Sequence, residues 1–416
     1  MWRSLFIEFF ADIGKQKLRS FLTLIAIAWG TLSVVLLLAF GRGLGTSLME
    51  GMLGAGNQVI VIYGGQTSMN YEGLGIGRSI RFTEDDVKML DQAIPEIQYS
   101  SPQYGRWGAT IEYGDVRTNT YMEGVNPDFQ IMRTMYNTQG GRFINEKDVD
   151  EARRVLFLGN DIAEQVFGEE DPIGKEVILN NTPFTVVGTM QSKMQTSMNN
   201  GPDAERAIIP YTTFRNIYGN RNVGSILIRP QDPSQQELIK TKVTNLLSAK
   251  YKFDPSDEQA MPMWDFIEME EMNQKVATGL EIFLFTVGFF TLMIAGVGVA
   301  NIMFVVVKER TREIGIKMAV GARKIHIMTQ FIFESLFISF MGGFLGLAVS
   351  TAIVYAVLAL NLGESEGAGQ FLGKPEISGL AVAVTIGVLA LIGLIAGIFP
   401  AMKAAKVDPV ESLRYE

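Results

Sequence analysis

Cysteine is absent from all 416 residues, and histidine occurs once, at His326. Without a thiol there is no disulfide framework, thiolate nucleophile or cysteine-based metal site, and one imidazole cannot build a histidine cluster or a relay between histidines. His326 stands at the edge of an apolar run, where interfacial packing is its expected role. Phosphate loops fare no better. Asp171-Pro172-Ile173-Gly174-Lys175 superficially invites that reading, but the spacing from Gly168 to Gly174 is one residue too long for a Walker A loop, and Glu176 stands where Ser or Thr would bind Mg²⁺. Gly64, Gly65, Gly73, Gly75 and Gly77 precede no apolar helix, so the dinucleotide fingerprint fails and a flexible surface loop is expected. A basic stripe interleaved with aromatics is also missing, which argues against nucleic acid as a partner.

What the chain has in quantity is uncharged apolar sequence. Its 47% hydrophobic content exceeds that of an average soluble protein but is unevenly spread, so membrane and soluble parts coexist. Phe21 to Phe40 and Ile282 to Val307 carry no charge, and Ile325 to Leu362 carries only His326 and Glu334. A fourth run covers Ile377 to Phe399. Each is long enough to cross about 30 Å of hydrocarbon at 1.5 Å per residue. The first is expected to be retained rather than cleaved, because it is long and Gly41-Arg42-Gly43-Leu44 is a poor cleavage site.

Charge sets the expected orientation. Lys308 to Lys324 holds Lys308, Arg310, Arg312, Lys317, Arg323 and Lys324 against Glu309 and Glu313, and short Lys/Arg-rich loops stay in the cytoplasm. Within it, Ile314, Met318 and Ile325 suggest an amphipathic helix under the membrane, broken at Gly321. The stripe Trp2, Leu5, Phe6, Phe9, Phe10, Ile13 suggests another at the N-terminus. Between the first two runs, Gly41 to Thr278 holds 22 Lys and Arg against 32 Asp and Glu, an acidic region expected outside the cytoplasm.

The expected architecture is therefore a membrane protein of four transmembrane α-helices, one plus three, with a large α+β extracytoplasmic domain inserted between the first and second. Its parts are an amphipathic helix (1–20), span one (21–40), the domain (41–278), span two (279–307), a cytoplasmic loop (308–324), span three (325–362), an outer loop (363–376), span four (377–400) and a cytoplasmic tail (401–416). In the domain, Gln58 to Ile62 and Ser225 to Ile228 read as strands. Thr83 with Asp86 caps a helix bearing Val87, Leu90, Ile94 and Ile97, and Ser234 with Glu237 caps one bearing Leu238, Val243, Leu246 and Leu247. A membrane-proximal α/β platform from about 57–110 and 223–265 would carry a β-rich insert at about 111–222.

Gly342 with Gly346 and Gly393 with Gly397 have the small-residue spacing of tight helix contacts, within one subunit or across a dimer. Glu334, an acid at a depth where an unpaired carboxylate costs several kcal/mol, must be paired, protonated or wet. A tether to a base of the 308–324 loop is preferred over a proton or substrate site.

The order of residues adds a resemblance. Glu309-Arg310-Thr311-Arg312-Glu313-Ile314-Gly315-Ile316, then Ala319 and Gly321-Ala322-Arg323, resembles the signature of FtsX-like permeases, membrane subunits of one class of ABC transporter. Pro400-Ala401-Met402-Lys403-Ala404-Ala405-Lys406 and Asp408-Pro409-Val410-Glu411 look like that family's closing motif, and the turn–strand pattern near Asp171 resembles the extracytoplasmic domain of MacB-type permeases. The resemblance implies a homodimer in the bacterial inner membrane, working with a cytoplasmic ATPase that binds ATP and Mg²⁺, a periplasmic adaptor and an outer-membrane factor. This chain would bind no cofactor or metal and would not itself be an enzyme. Residues Glu309, Arg310, Thr311, Arg312, Glu313, Ile314, Gly315, Lys317, Gly321 and Arg323 would couple to the ATPase, with Gly321 as a hinge, to drive efflux of an antibiotic, peptide or similar molecule. Lol-type lipoprotein release and FtsX-like control of a cell-wall hydrolase are the alternatives.

Overall fold

The computed structural model describes residues 17–53, 56, 58–193, 195, 200–360 and 374–406. The expected N-terminal amphipathic helix, most of the outer loop and the closing Asp408 motif lie outside these residues. In chain order the elements begin with α1 (Lys17–Leu53), β1 (Ile60–Tyr63), α2 (Glu84–Ala93), β2 (Ile97–Tyr113), β3 (Val116–Val125), α3 (Phe129–Met132) and α4 (Glu146–Asp150). There follow β4 (Val155–Leu158), α5 (Asn160–Phe167), β5 (Glu176–Leu179), β6 (Thr182–Thr189), β7 (Arg206–Pro210), α6 (Tyr211–Tyr218) and β8 (Ser225–Pro230). The chain continues with α7 (Gln236–Tyr251), β9 (Met263–Asp265), α8 (Phe266–Glu309), α9 (Thr311–Ala319), α10 (Lys324–Ala359) and α11 (Gly379–Ala404). Two compact units divide it, residues 48–273 and the remainder.

In residues 48–273 the strands form one nine-stranded sheet in the order β3-β7-β4-β6-β5-β2-β8-β1-β9, and β2 also pairs with β3. That extra pairing closes β2, β3, β7, β4, β6 and β5 into a six-stranded ring, so those strands have no free edge. β2 serves twice. Its first half, from Ile97 to Gln103, pairs antiparallel with β8, and Tyr104 to Tyr113 pairs with β3. The strand thus runs unbroken across the boundary expected near residue 110, and Ile97 begins it rather than ending the preceding helix. Ile97 loses its helical place because Ile94 already closes α2, its N–H bonded to Leu90 O.

Alternation decides the faces. Ile60 and Ile62 join a core with Val87 and Leu90 of α2, Ile94 at its C-cap, and Ile239, Val243 and Leu247 of α7, while Val59, Val61 and Leu227 face the opposite core. The Thr83–Asp86 capping box is formed. At α7 the cap differs from the Ser234–Glu237 expectation: Asp232 accepts from Ser234 N at 3.0 Å and starts a short 3₁₀ turn, Pro233–Gln235, ahead of the helix. The glycine-rich loop is also more organised than expected. Asp257 accepts from Ser68 N, Ser68 Oγ and Met69 N, and a Cβ on Gly65 would meet the backbone at Gln259.

The other unit is a helix bundle. The helix containing Ser20–Ser47 together with α8, α10 and α11 are all long and apolar enough to cross a membrane. Close approach fixes their neighbours. A Cβ on Gly342 would lie 2.7 Å from Ile27 Cβ, and one on Gly346 2.7 Å from Thr31 Cβ, so α10 packs its small-residue pair on α1. Gly393 and Gly397 of α11 face Ser339 and Ser335 of α10, and Ser335 Oγ donates to Gly393 O at 2.8 Å. Gly288 meets Val34, and Gly296 meets Ile392, placing α8 against both α1 and α11. Both glycine pairs are therefore occupied within one chain.

Candidate functional site

The basic stretch folds as α9, framed by two turns. Arg310 stands at its N-cap, and Thr311 Oγ1 donates to Lys308 O at 2.8 Å. At the other end Gly321 has φ +99°, its N–H bonds Met318 O, and the Ala322 N–H bonds Lys317 O. That pair of bonds is a Schellman closure, which needs a left-handed residue and so favours glycine. Gly321 ends the helix through a fixed turn.

The helix is two-faced. Ile314 and Gly315 are buried, with Ile314 in the bundle core beside Ile327, Phe331 and Ala401. Arg312, Glu313, Ile316 and Val320 are exposed, as are Arg323 and Lys324 beyond the turn. The i, i+3, i+7 spacing of Glu313, Ile316 and Val320, with Arg312 beside them, puts these four on one side, mixing charge with two apolar side chains. Glu309 is exposed before the helix, and His326 is exposed in the first turn of α10.

Arg310 turns inward. Its Nη1 lies 3.1 Å from Glu334 Oε1, with side-chain exposures of 18% and 7%. Gln330 Nε2 lies 3.3 Å from the same oxygen, and Lys317 Nζ lies 3.4 Å from Gln330 Oε1. A base before α9, a base within it and the acid of α10 thus share one polar chain. The residues expected to couple divide accordingly: Arg312, Glu313 and Arg323 face out with Glu309, whereas Arg310, Thr311, Ile314, Gly315 and Lys317 brace the helix and Gly321 closes it. Gln330 and the exposed Ile316 and Val320 were missed by sequence reasoning. The i, i+4 spacing of Gln330 and Glu334 was the available signal.

A second concentration of charge lies inside residues 48–273. Asp203 is fully buried among Arg133, Arg206 and Lys193, and Arg206 also pairs with buried Glu123. Burial would raise the Asp203 carboxyl, but the three cations outweigh it and hold it down at about 2. Burial pushes the Lys193 ammonium down to about 8, Asp203 opposing. No local pattern marks these residues, which come from four separate stretches. Among the described residues no group of three or more His, Asp or Glu could hold a metal ion.

Residues 20–246 match the MacB-like periplasmic core domain, and residues 285–409 match the FtsX-like permease C-terminal region. This is the class of ABC-transporter permeases, and the chain belongs to its MacB-type, FtsX-like family. The Macrolide export ATP-binding/permease protein MacB of Bdellovibrio bacteriovorus is 30% identical over 98% of this chain and 61% of its own length. The Pyoverdine export ATP-binding/permease protein PvdT of Pseudomonas savastanoi pv. phaseolicola is 32% identical over 100% of this chain and 58% of its own length. The chain thus spans about three-fifths of the curated relatives it matches. The solved periplasmic region of MacB from Actinobacillus actinomycetemcomitans aligns over 54% of this chain and 96% of that one, at 22% identity and a TM-score of 0.43.

Proposed function

We propose that this chain is the permease part of an export machine of the bacterial inner membrane, driven by an ABC ATPase that stands outside these residues and binds the ATP and Mg²⁺. The basic stretch Lys308–Lys324 lies in the cytoplasm with both chain ends, and residues 48–273 lie on the far side. Nucleotide-driven closure of two ATPases moves α9, and the four spans carry the motion as levers in a dimer of this chain. Substrate is taken up outside the cytoplasm and handed to a periplasmic adaptor and outer-membrane factor.

The observation that carries this reading is the construction of α9: an outer face of Arg312, Glu313, Ile316 and Val320 available to a partner, on a helix braced to α10 through Arg310 and Glu334. A charged, partly apolar face suits a transient protein contact, and the buried brace passes its displacement to a span. The relatives' names add support, since both describe export by ATP-binding/permease proteins.

The test begins by affinity-tagging the chain in its host, extracting it in mild detergent and identifying what accompanies it. An ABC ATPase and an adaptor are expected. With the ATPase in hand, Glu313→Lys should leave the melting temperature unchanged and abolish substrate-stimulated ATP turnover; unchanged coupling, or no ATPase in the preparation, refutes the assignment.

A further inference from the structure

Residues 48–273 hold a cleft of about 590 Å³ at the junction of β9 and α8. That volume lies in the range of small-molecule sites. Its walls combine two features that general packing does not require of a surface. One is soft and aromatic: Trp264, Met269 and Met272 line it and are each at least two-fifths exposed. Methionine adapts its shape to varied apolar bodies. The Trp264 ring is held edge-on by Tyr63, centroids 6.3 Å apart, which keeps it ordered for a guest.

The other feature is ionic. Lys240 Nζ lies 3.0 Å from Asp265 Oδ2 and 3.7 Å from Glu268 Oε2, and it also pairs with Glu237. One ammonium shared by three carboxylates leaves this corner with a surplus of negative charge. An anionic guest is repelled there, and a purely apolar guest leaves the surplus unanswered. A cation with an apolar body satisfies both walls, its charge toward Glu268 and its body against Trp264, with cation–π attraction added.

We propose that this cleft binds cationic amphiphiles, organic monocations with an aromatic or aliphatic body. The site stands on its own lining residues, and only its purpose, delivery of such molecules to export, rests on the function proposed above.

The probe is radiolabelled tetraphenylphosphonium, measured by equilibrium dialysis against the full chain in phosphatidylcholine nanodiscs, with uptake by empty nanodiscs subtracted. One saturable site per chain is expected. Its Kd should weaken about tenfold in Glu268→Lys and at least threefold in Trp264→Ala, and stay unchanged in Glu169→Lys, the same charge change at an exposed acid outside the cleft. Tetraphenylborate, equal in shape and opposite in charge, should show no saturable component. Absence of saturable uptake overturns the proposal, as does equal binding of the anion or an unchanged Kd in Glu268→Lys. If instead the chain self-associates and Trp264→Asp releases monomers, the cleft is a contact between copies and the proposal falls. Because binding needs neither ATP nor transport, failure of export with binding intact counts against the proposed function and leaves this site standing.

Discussion

Replacing either member of the Arg310–Glu334 pair should separate a structural brace from a decorative surface contact. At 3.1 Å and an effective dielectric of about 20, the two charges attract by roughly 5 kcal/mol. Desolvation of the pair is of the same order, so the pair as a whole contributes little compared with two apolar side chains of similar size. Removing one partner is different, since it strands a charge that is only 7% or 18% exposed. Glu334→Met and Arg310→Met should each cost about 3 to 5 kcal/mol. Arg310→Met belongs at the lower end, because Gln330 still donates to Glu334. The double variant should recover at least about 2 kcal/mol relative to the sum of the singles. Equilibrium unfolding of the purified chain in mixed micelles of increasing SDS fraction reads all four corners of the cycle. Single variants that each cost less than about 1 kcal/mol and add without coupling would refute the brace. The double variant then has a second use: stability restored with ATPase coupling lost would show that the polar link itself carries motion.

Three further outcomes follow from the geometry. Gly346→Leu forces a side chain into Thr31 of α1 and should destabilise the bundle by about 1 to 3 kcal/mol or more, whereas Gly298→Ala, with nothing within 4 Å, should be neutral; melting temperatures in detergent compare them. Burial, with Glu146 and Asp91 nearby, pushes the Asp128 carboxyl up to about 6 from 3.8, so its native form holds a proton that the unfolded chain has lost and stability falls as pH rises from about 4 to 6. Asp128→Asn should flatten that decline and stabilise the protein at pH 7.5 by up to about 3 kcal/mol, seen as a melting-temperature gain that vanishes near pH 4. Arg206→Met leaves Glu123 and Asp203 short of a buried cation and should cost about 3 to 5 kcal/mol, partly regained with Glu123→Gln, in urea unfolding followed by fluorescence of Trp107, whose ring lies 4.4 Å from that of Tyr121.

Much of this architecture is written locally. An uncharged run of twenty or more residues can satisfy its backbone only as a helix in lipid, so the four membrane-length helices follow from composition alone. Their ends move, α1 extending to Leu53 and α8 starting at Phe266, because helix propagation through polar residues is set by packing and not by hydropathy. The Thr83–Asp86 box and the break at Gly321 are equally local, fixed by hydrogen bonds within a few residues.

What only the tertiary structure decided are pairings between distant residues. The double use of β2 depends on β3 and β5, which flank its second half, and on β8, which pairs with its first, and no period within Ile97–Tyr113 announces it. Glycine spacing marked Gly342 and Gly346 as contact points, but the partner, α1, is set by which carbonyl and side chains approach them. Glu334 needed a partner on energetic grounds, and the sequence offered six bases within Lys308–Lys324. Arg310 meets it because the turn before α9 brings that side chain beside the buried face of α10. Periodicity and burial cost are properties of a segment, while the identity of a partner is a property of the fold.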